Sequence, residues 1–161
     1  MNDFHIVGQA PSRQGDGRPF TGPSGRRLCD LFGVQHWEAL NRLADLQNLV
    51  DVPAVKFQRG DSFDREAAMI RATALVKLWA ATSEFSVVLA CGHSVFQALT
   101  RHQSPFFKGK ALSFPQLESR VEIWNFPHPS GASAFWNDPR NVQEARDFIG
   151  KLRDRYGMLI A

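Results

Sequence analysis

The chain has 161 residues, 43% of them hydrophobic and 22% charged, a balance that excludes intrinsic disorder and predicts one domain spanning residues 1–161. Its net charge of +3 permits an anionic partner without demanding one. No apolar run reaches the length of a membrane span, and Met1 to His5 lacks the basic and apolar stretches of a secretory signal, so the expected address is the cytoplasm, in association with the nucleoid. Cys29 and Cys91 are the only cysteines. Two thiols alone complete neither a structural zinc site nor a four-thiolate cluster, and no Cys/His pair has metal spacing. The expectation is two buried, reduced thiols, no metal and no cofactor.

In chain order, Phe4 to Gly8 predicts a short strand. The glycines and prolines from Gln9 to Gly22 make a loop. Pro23-Ser24-Gly25 leads into a helix over Arg26 to Phe32, stopped by Gly33. Trp37 to Arg42 is a short helix and Ala44 to Val50 a second strand, broken by Pro53. Phe63 to Ala81 predicts a long helix, with Ala68, Ala72, Leu75, Val76 and Trp79 on one side. The apolar run Phe85 to Cys91 suits a strand buried on both faces of a parallel sheet. Gly92-His93-Ser94 turns into a helix from Val95 to about Arg101, followed by a looser stretch through Phe114-Pro115. Val121 to Phe126 is the fourth strand, and Pro127 to Gly131 is loop. Asp138 caps a last helix that opens on Pro139 and runs to about Tyr156. Alternating strands and helices predict a three-layer α/β/α fold with a central, four-stranded, mostly parallel sheet. Ligands of such sheets bind beyond the carboxyl ends of the strands. The loops after Gly8, Cys91 and Phe126, with Asn48, are expected to converge there.

These loops carry a family resemblance. Gly8-Gln9-Ala10-Pro11 followed by Gly17-Arg18-Pro19-Phe20-Thr21-Gly22-Pro23-Ser24-Gly25 resembles the first motif of the uracil-DNA glycosylase superfamily. His128-Pro129-Ser130-Gly131-Ala132-Ser133 resembles its second, and Val87 to Leu99 is similar to its third strand and following helix. The nearest branches are the thermophile-type enzymes, including those with an iron–sulfur cluster. The resemblance covers nearly the whole chain. It implies a DNA partner, a monomer, and a pyrimidine flipped out of the stack.

Cleaving a base–sugar bond places negative charge on the departing base, so the catalyst needs a positioned donor there, a water at the sugar, and a pocket with an aromatic floor. His128, in a loop stiffened by prolines, is the expected donor to the base oxygen. Gln9 is expected near the sugar and water through its backbone or amide; a structural loop role is the alternative. Phe20 is expected to stack on the base, with core packing as its alternative. Asn48, whose amide both donates and accepts, is expected to match a pyrimidine edge, or else to be a strand-end turn residue. Ser94, Ser130 and Ser133, together with Arg13 and Arg18, are expected to face phosphates, and Ser12 to lie beside the base or grip a phosphate, with loop or helix-cap roles as the serines' alternative. Arg26 and Arg27 add to that positive surface, a solvated helix start being the other reading.

The sequence departs from the resemblance in four places. The best-known relatives carry a water-assisting aspartate two residues after the first glycine; here that position is Ala10, with Asp16 and Asp51 as possible substitutes. They carry a tyrosine that excludes 5-substituted bases where this chain has Ser12, which leaves room beside the ring. Two cysteines do not hold a four-cysteine cluster. The bulky residue that many relatives insert into the base stack is Ala132, with Phe135 or Trp136 as substitute wedges or as core residues. The leading reading is a monofunctional DNA glycosylase acting on uracil or a 5-substituted pyrimidine and leaving an abasic site. The alternatives are a DNA-binding or base-recognition protein with little hydrolysis, a glycosylase for a hypermodified base, and an α/β enzyme acting on a free nucleoside or nucleotide.

Overall fold

The computed structural model describes residues 3–11, 16–51, 55–57, 60–62 and 64–157. Its elements are β1 (Phe4–Gly8), α1 (Pro23–Phe32), α2 (Trp37–Leu43), β2 (Asp45–Asn48), β3 (Val55–Phe57), β4 (Gly60–Ser62), α3 (Arg65–Thr82), β5 (Phe85–Cys91), α4 (His93–Thr100), β6 (Gly109–Phe114), β7 (Ser119–Phe126) and α5 (Pro139–Tyr156). Single 3₁₀ turns occupy Pro115–Leu117 and Ala134–Asn137.

The central sheet has the order β2-β1-β5-β7-β6. The first four strands are parallel, and β6 runs antiparallel to β7. A separate antiparallel hairpin joins β3 to β4. The expected α/β/α class holds, but the sheet has five strands rather than four. The strand that sequence reasoning passed over, Gly109–Phe114, lies in the stretch expected to be loose. It is an edge strand with most of its side chains in water, so it carries neither a continuous apolar run nor clear alternation. Lys110 and a neighbouring proline further masked it, both familiar features of guarded edges.

Strand alternation divides the core into two layers. Phe4, Ile6, Val87, Leu89 and Phe126 pack toward α1, α2 and α5, against Leu28, Phe32, Leu40, Phe148 and Ile149. Val7, Val88, Ala90, Val121 and Ile123 face the other way, against Ala72, Leu75, Trp79, Val95, Phe96 and Leu99 of α3 and α4. β1 and β5 are therefore buried on both faces, as a parallel strand flanked by helices must be. The helix ends follow local chemistry. Asp64 accepts from the Ala67 N–H (3.0 Å) at the start of α3, and Asp138 from the Arg140 N–H (2.9 Å) ahead of Pro139 in α5. This satisfies donors that the helix itself leaves open. Cys29 and Cys91 are free and buried, and burial pushes both thiols up. Among the described residues no helix is long and apolar enough to cross a membrane.

Candidate active site

Four neighbouring parallel strands end on the same side, and each delivers part of the site. Gly8 lies beside Asn48 in the β1–β2 register. Cys91, just before Gly92, lies beside Phe126, two residues before His128. Asn48 and His128 thus emerge three strand spacings apart, roughly 14 Å.

The floor is set at Gly8. A Cβ there would lie 2.7 Å from Asn48 Oδ1 and 2.8 Å from Phe20 Cζ. Only glycine lets the amide and the ring meet above the end of β1. Phe20 is held at φ 57°, a left-handed conformation that costs a bulky residue about 1–2 kcal/mol. Its carbonyl is wedged against the start of α1, where a Cβ on Gly25 would stand 1.5 Å from Phe20 O. Glycine at 25 therefore lets α1 close over the loop. Phe20 is almost wholly buried in the core, so it combines core packing with a ring placed beside Asn48. Beyond Asn48 lies a groove of about 380 Å³ lined by Pro11, Pro19, Asp51 and Arg71 among others. The backbone of Gln9 extends the pairing of β1 with the chain after β2, its carbonyl accepting from the Val50 N–H at 3.1 Å. Ala10 packs against the α3 and α4 side of the core.

His128 stands farther along the same row of strand ends, after β7. Its ring lies over Gly92, where an added Cβ would be 3.6 Å from both its Cβ and Cδ2. The Ser130 N–H donates to His128 Nδ1 at 3.2 Å. A ring nitrogen that accepts a hydrogen bond carries no proton, so in the neutral ring the proton sits on Nε2, which is the donor. The loop itself is clamped. Trp136 Nε1 donates to His128 O at 2.8 Å, and the Arg27 guanidinium reaches Pro129 O (3.4 Å) and Ser130 O (3.2 Å). Arg27 also lies 4.9 Å above the Trp136 ring. Sequence reasoning expected Arg27 to face phosphate. It instead braces the histidine loop, a contact across 102 residues of sequence that no local pattern signals.

Ser94 is exposed in the first turn of α4, next to Gly92; Ser130 and Ser133 are half-buried in the loop that carries His128. The Ser133 N–H closes that loop on Ser130 O at 3.2 Å. Arg18 lies 2.6 Å from Asp16 and 4.3 Å above the Trp37 ring. Hydrogen bonds from Arg18 bring the Asp16 carboxyl down to about 2, which makes Asp16 a poor base. Ser12 and Arg13 lie outside the described residues. Trp136 is buried beside Phe126, 6.2 Å between ring centroids, so the core-packing alternative holds for it. Phe135 packs among Phe106, Phe107 and Trp136. The exposed residues at the loop tip are Gly131, Ala132 and Ala134.

The sequence model of the uracil DNA glycosylase superfamily matches residues 3–153. The chain belongs to that superfamily. No curated protein matches it. As a member of the uracil DNA glycosylase superfamily, the chain falls among DNA-acting hydrolases of uracil-like bases in general. The match takes in both motif loops and the run from β5 into α4, the segments that build the cleft. Sequence reasoning missed Asn125, the fully buried asparagine of β7. Its Nδ2 donates to His93 Nδ1 (2.9 Å) and to Ser104 O (2.7 Å). The signal available was an amide inside an otherwise apolar strand end.

Proposed function

We propose that this chain is a monofunctional DNA glycosylase that hydrolyses the N-glycosidic bond of a flipped-out uracil or 5-substituted pyrimidine and leaves an abasic site. The observation that carries this reading is the hydrogen bond from the Ser130 N–H to His128 Nδ1, since an accepting Nδ1 leaves the proton of the neutral ring on Nε2. A donor fixed before reaction stabilises charge developing on a pyrimidine oxygen without reorganising. Phe20 forms the floor beneath the base and Asn48 pairs with its edge. Gln9 lies near the sugar and water, Ser12 stands beside the base, and Ser94, Ser130 and Ser133 meet the flanking phosphates, together with Arg13 and Arg18. The unit is one domain over residues 1–161, acting as a monomer on DNA without a cofactor.

Ala10 supplies no carboxylate for the water. Asp51, exposed in the groove beside Asn48, is the acid better placed for that task, since Asp16 is tied to Arg18. Catalysis then rests mainly on leaving-group stabilisation and on DNA contacts that favour the flipped state.

The test of substrate class is a panel of matched oligonucleotides carrying uracil opposite guanine, uracil opposite adenine, uracil in a single strand, and 5-hydroxymethyluracil. Strand breaks are counted after alkaline work-up. Cleavage of both the plain and the 5-substituted base supports the open pocket implied by Ser12. Strict rejection of the 5-substituted base refutes it. Tight DNA binding with no cleavage of any substrate supports instead a base-recognition protein, the reading that Ala10 favours.

A further inference from the structure

The edge strand β6 carries its bulk on one face only. Leu112 and Phe114 are half-buried against the α3 and α4 layer. The alternate residues, Gly109, Ala111 and Ser113, share the α5 side of the sheet with Trp124, Glu122 and Arg120 of β7. All three are small and exposed. Beside this low ledge, between α5 and the segment Phe106 to Lys108, runs a groove of about 660 Å³. Ordinary ligand clefts hold roughly 300–1,000 Å³.

Phe106, Phe107, Trp124 and Phe148 give the groove an aromatic surface. Neighbouring side chains of an extended chain point to opposite sides. Phe107 holds φ 64°, and this left-handed turn lets both phenylalanines line one groove. The rings of Phe107 and Trp124 lie 5.0 and 5.7 Å from that of Phe148. Trp124 spreads over Gly109, where a Cβ would stand 2.9 Å from its ring. A glycine there leaves the indole in place and half-exposed.

The rim carries Lys108, Arg140, Lys151 and Arg155 against Glu144 and Asp147, an excess of positive charge that favours an anionic occupant. Arg140 and Arg155 already meet Asp138 and Glu122, and Asp147 accepts from Gln143 Nε2 at 2.8 Å. Lys108 and Lys151, one on each wall, are exposed and meet no carboxylate among the described residues. The helical rise makes the wall from Arg140 to Arg155 about 22 Å long, the reach of about seven extended residues. A phosphate chain of that length would carry its charge past Glu144 and Asp147. A peptide can place its carboxylates at the lysines and turn alternate side chains onto the aromatic floor.

We propose that this groove docks an extended segment of another protein in which acidic residues alternate with aromatic ones. The aromatic side chains lie against Phe107, Trp124 and Phe148, and the carboxylates meet Lys108 and Lys151. The interaction is independent of base recognition and of hydrolysis.

The test uses a fluorescein-labelled heptapeptide of alternating Asp and Phe, with two controls that carry Lys for Asp or Ala for Phe. Fluorescence anisotropy measures their affinities for the full chain. Both controls are expected to bind at least roughly tenfold more weakly than the Asp-Phe peptide. A double variant, Lys108→Glu with Lys151→Glu, changes two exposed side chains and should melt as the unmodified chain does. It should lose roughly tenfold in affinity for the Asp-Phe peptide and keep its affinity for a single-stranded oligonucleotide. The Trp124 indole N–H resonance, assigned by its absence in Trp124→Phe, should move as the peptide is added. No binding of the Asp-Phe peptide at about 1 mM, equal binding of all three peptides, or an unchanged affinity in the double variant would overturn the docking site. An equal loss of oligonucleotide affinity in the double variant would also overturn it and make the groove a nucleic-acid surface.

Discussion

The strand β7 serves two regions that use polar groups in opposite ways. Toward its amino end, the nearly buried Glu122 is ringed by Arg120 at 2.6 Å, Arg155 at 3.5 Å and the hydroxyl of Tyr156, which itself accepts from Trp124 Nε1 at 3.2 Å. Each group there meets its complement within the protein, and the network ties α5 to the sheet. Toward its carboxyl end and just beyond, Asn125 and the Ser130 N–H each meet the Nδ1 of an imidazole, His93 and His128, and so fix how each ring is turned. Polar pairs that close on themselves hold a fold together. Polar pairs that orient an imidazole at the strand ends prepare a site.

Substitutions should separate the two regions. The largest effect is expected at Gly25→Ala, whose Cβ would collide with Phe20 O. It should lower stability by about 3 kcal/mol and cleavage by roughly two orders of magnitude, since forced overpacking costs typically 1–3 kcal/mol and displaced groups lose rate steeply. Thermal melts and single-turnover rates on one preparation measure both. Glu122→Gln should show the opposite split. Its arginine partners are half in water, so the loss stays near 2 kcal/mol, below the usual range for a fully buried pair, while cleavage holds at the unmodified rate. A Glu122→Gln variant that folds normally but cleaves slowly would erase the distinction between the regions.

Arg27→Lys sharpens the comparison from the site side. Lysine keeps the charge but loses the fork toward Pro129 O and Ser130 O and the stack on Trp136. Cleavage should fall about tenfold, near 1.4 kcal/mol, with salt-dependent DNA affinity unchanged. An equal loss of affinity would return Arg27 to the phosphate surface.

The smallest effect is in alkaline solution. Burial, and then the hydrogen bond to Glu122, raise Tyr156 from 10 to about 12. Between those values the folded protein keeps a proton that the unfolded chain loses. Stability contributed by this group is intact below pH 10 and declines as pH rises to about 12. Denaturant titrations across that window should show the decline, and Tyr156→Phe should flatten it.

How far sequence reasoning reached follows the same division. The parallel core was visible because β5, buried on both faces, reads as a continuous apolar run. Gly8, Phe20 and His128 were visible as motif positions and Asn48 and Gly92 as strand-end residues, and strand order brings them to one end. What escaped depends on contacts between distant segments. β6 is an exposed edge without periodicity. Arg27 reaches carbonyls more than 100 residues away, so its charge alone suggested phosphate. Asn125 looks like any strand-end amide until the 104 loop and α4 fold against it.

The most direct test of the central claim is cleavage of a uracil-containing oligonucleotide by the unmodified chain and by His128→Ala, at saturating enzyme and with melts run beside it. A fixed Nε2–H donor to the leaving base predicts strand breaks after alkali with the unmodified chain. It predicts a loss of roughly 10²–10³ in rate for the variant, with an unchanged melting temperature. Equal rates for the two proteins would contradict the role assigned to His128. Absence of cleavage by the unmodified chain on every uracil and 5-substituted substrate would contradict hydrolysis itself.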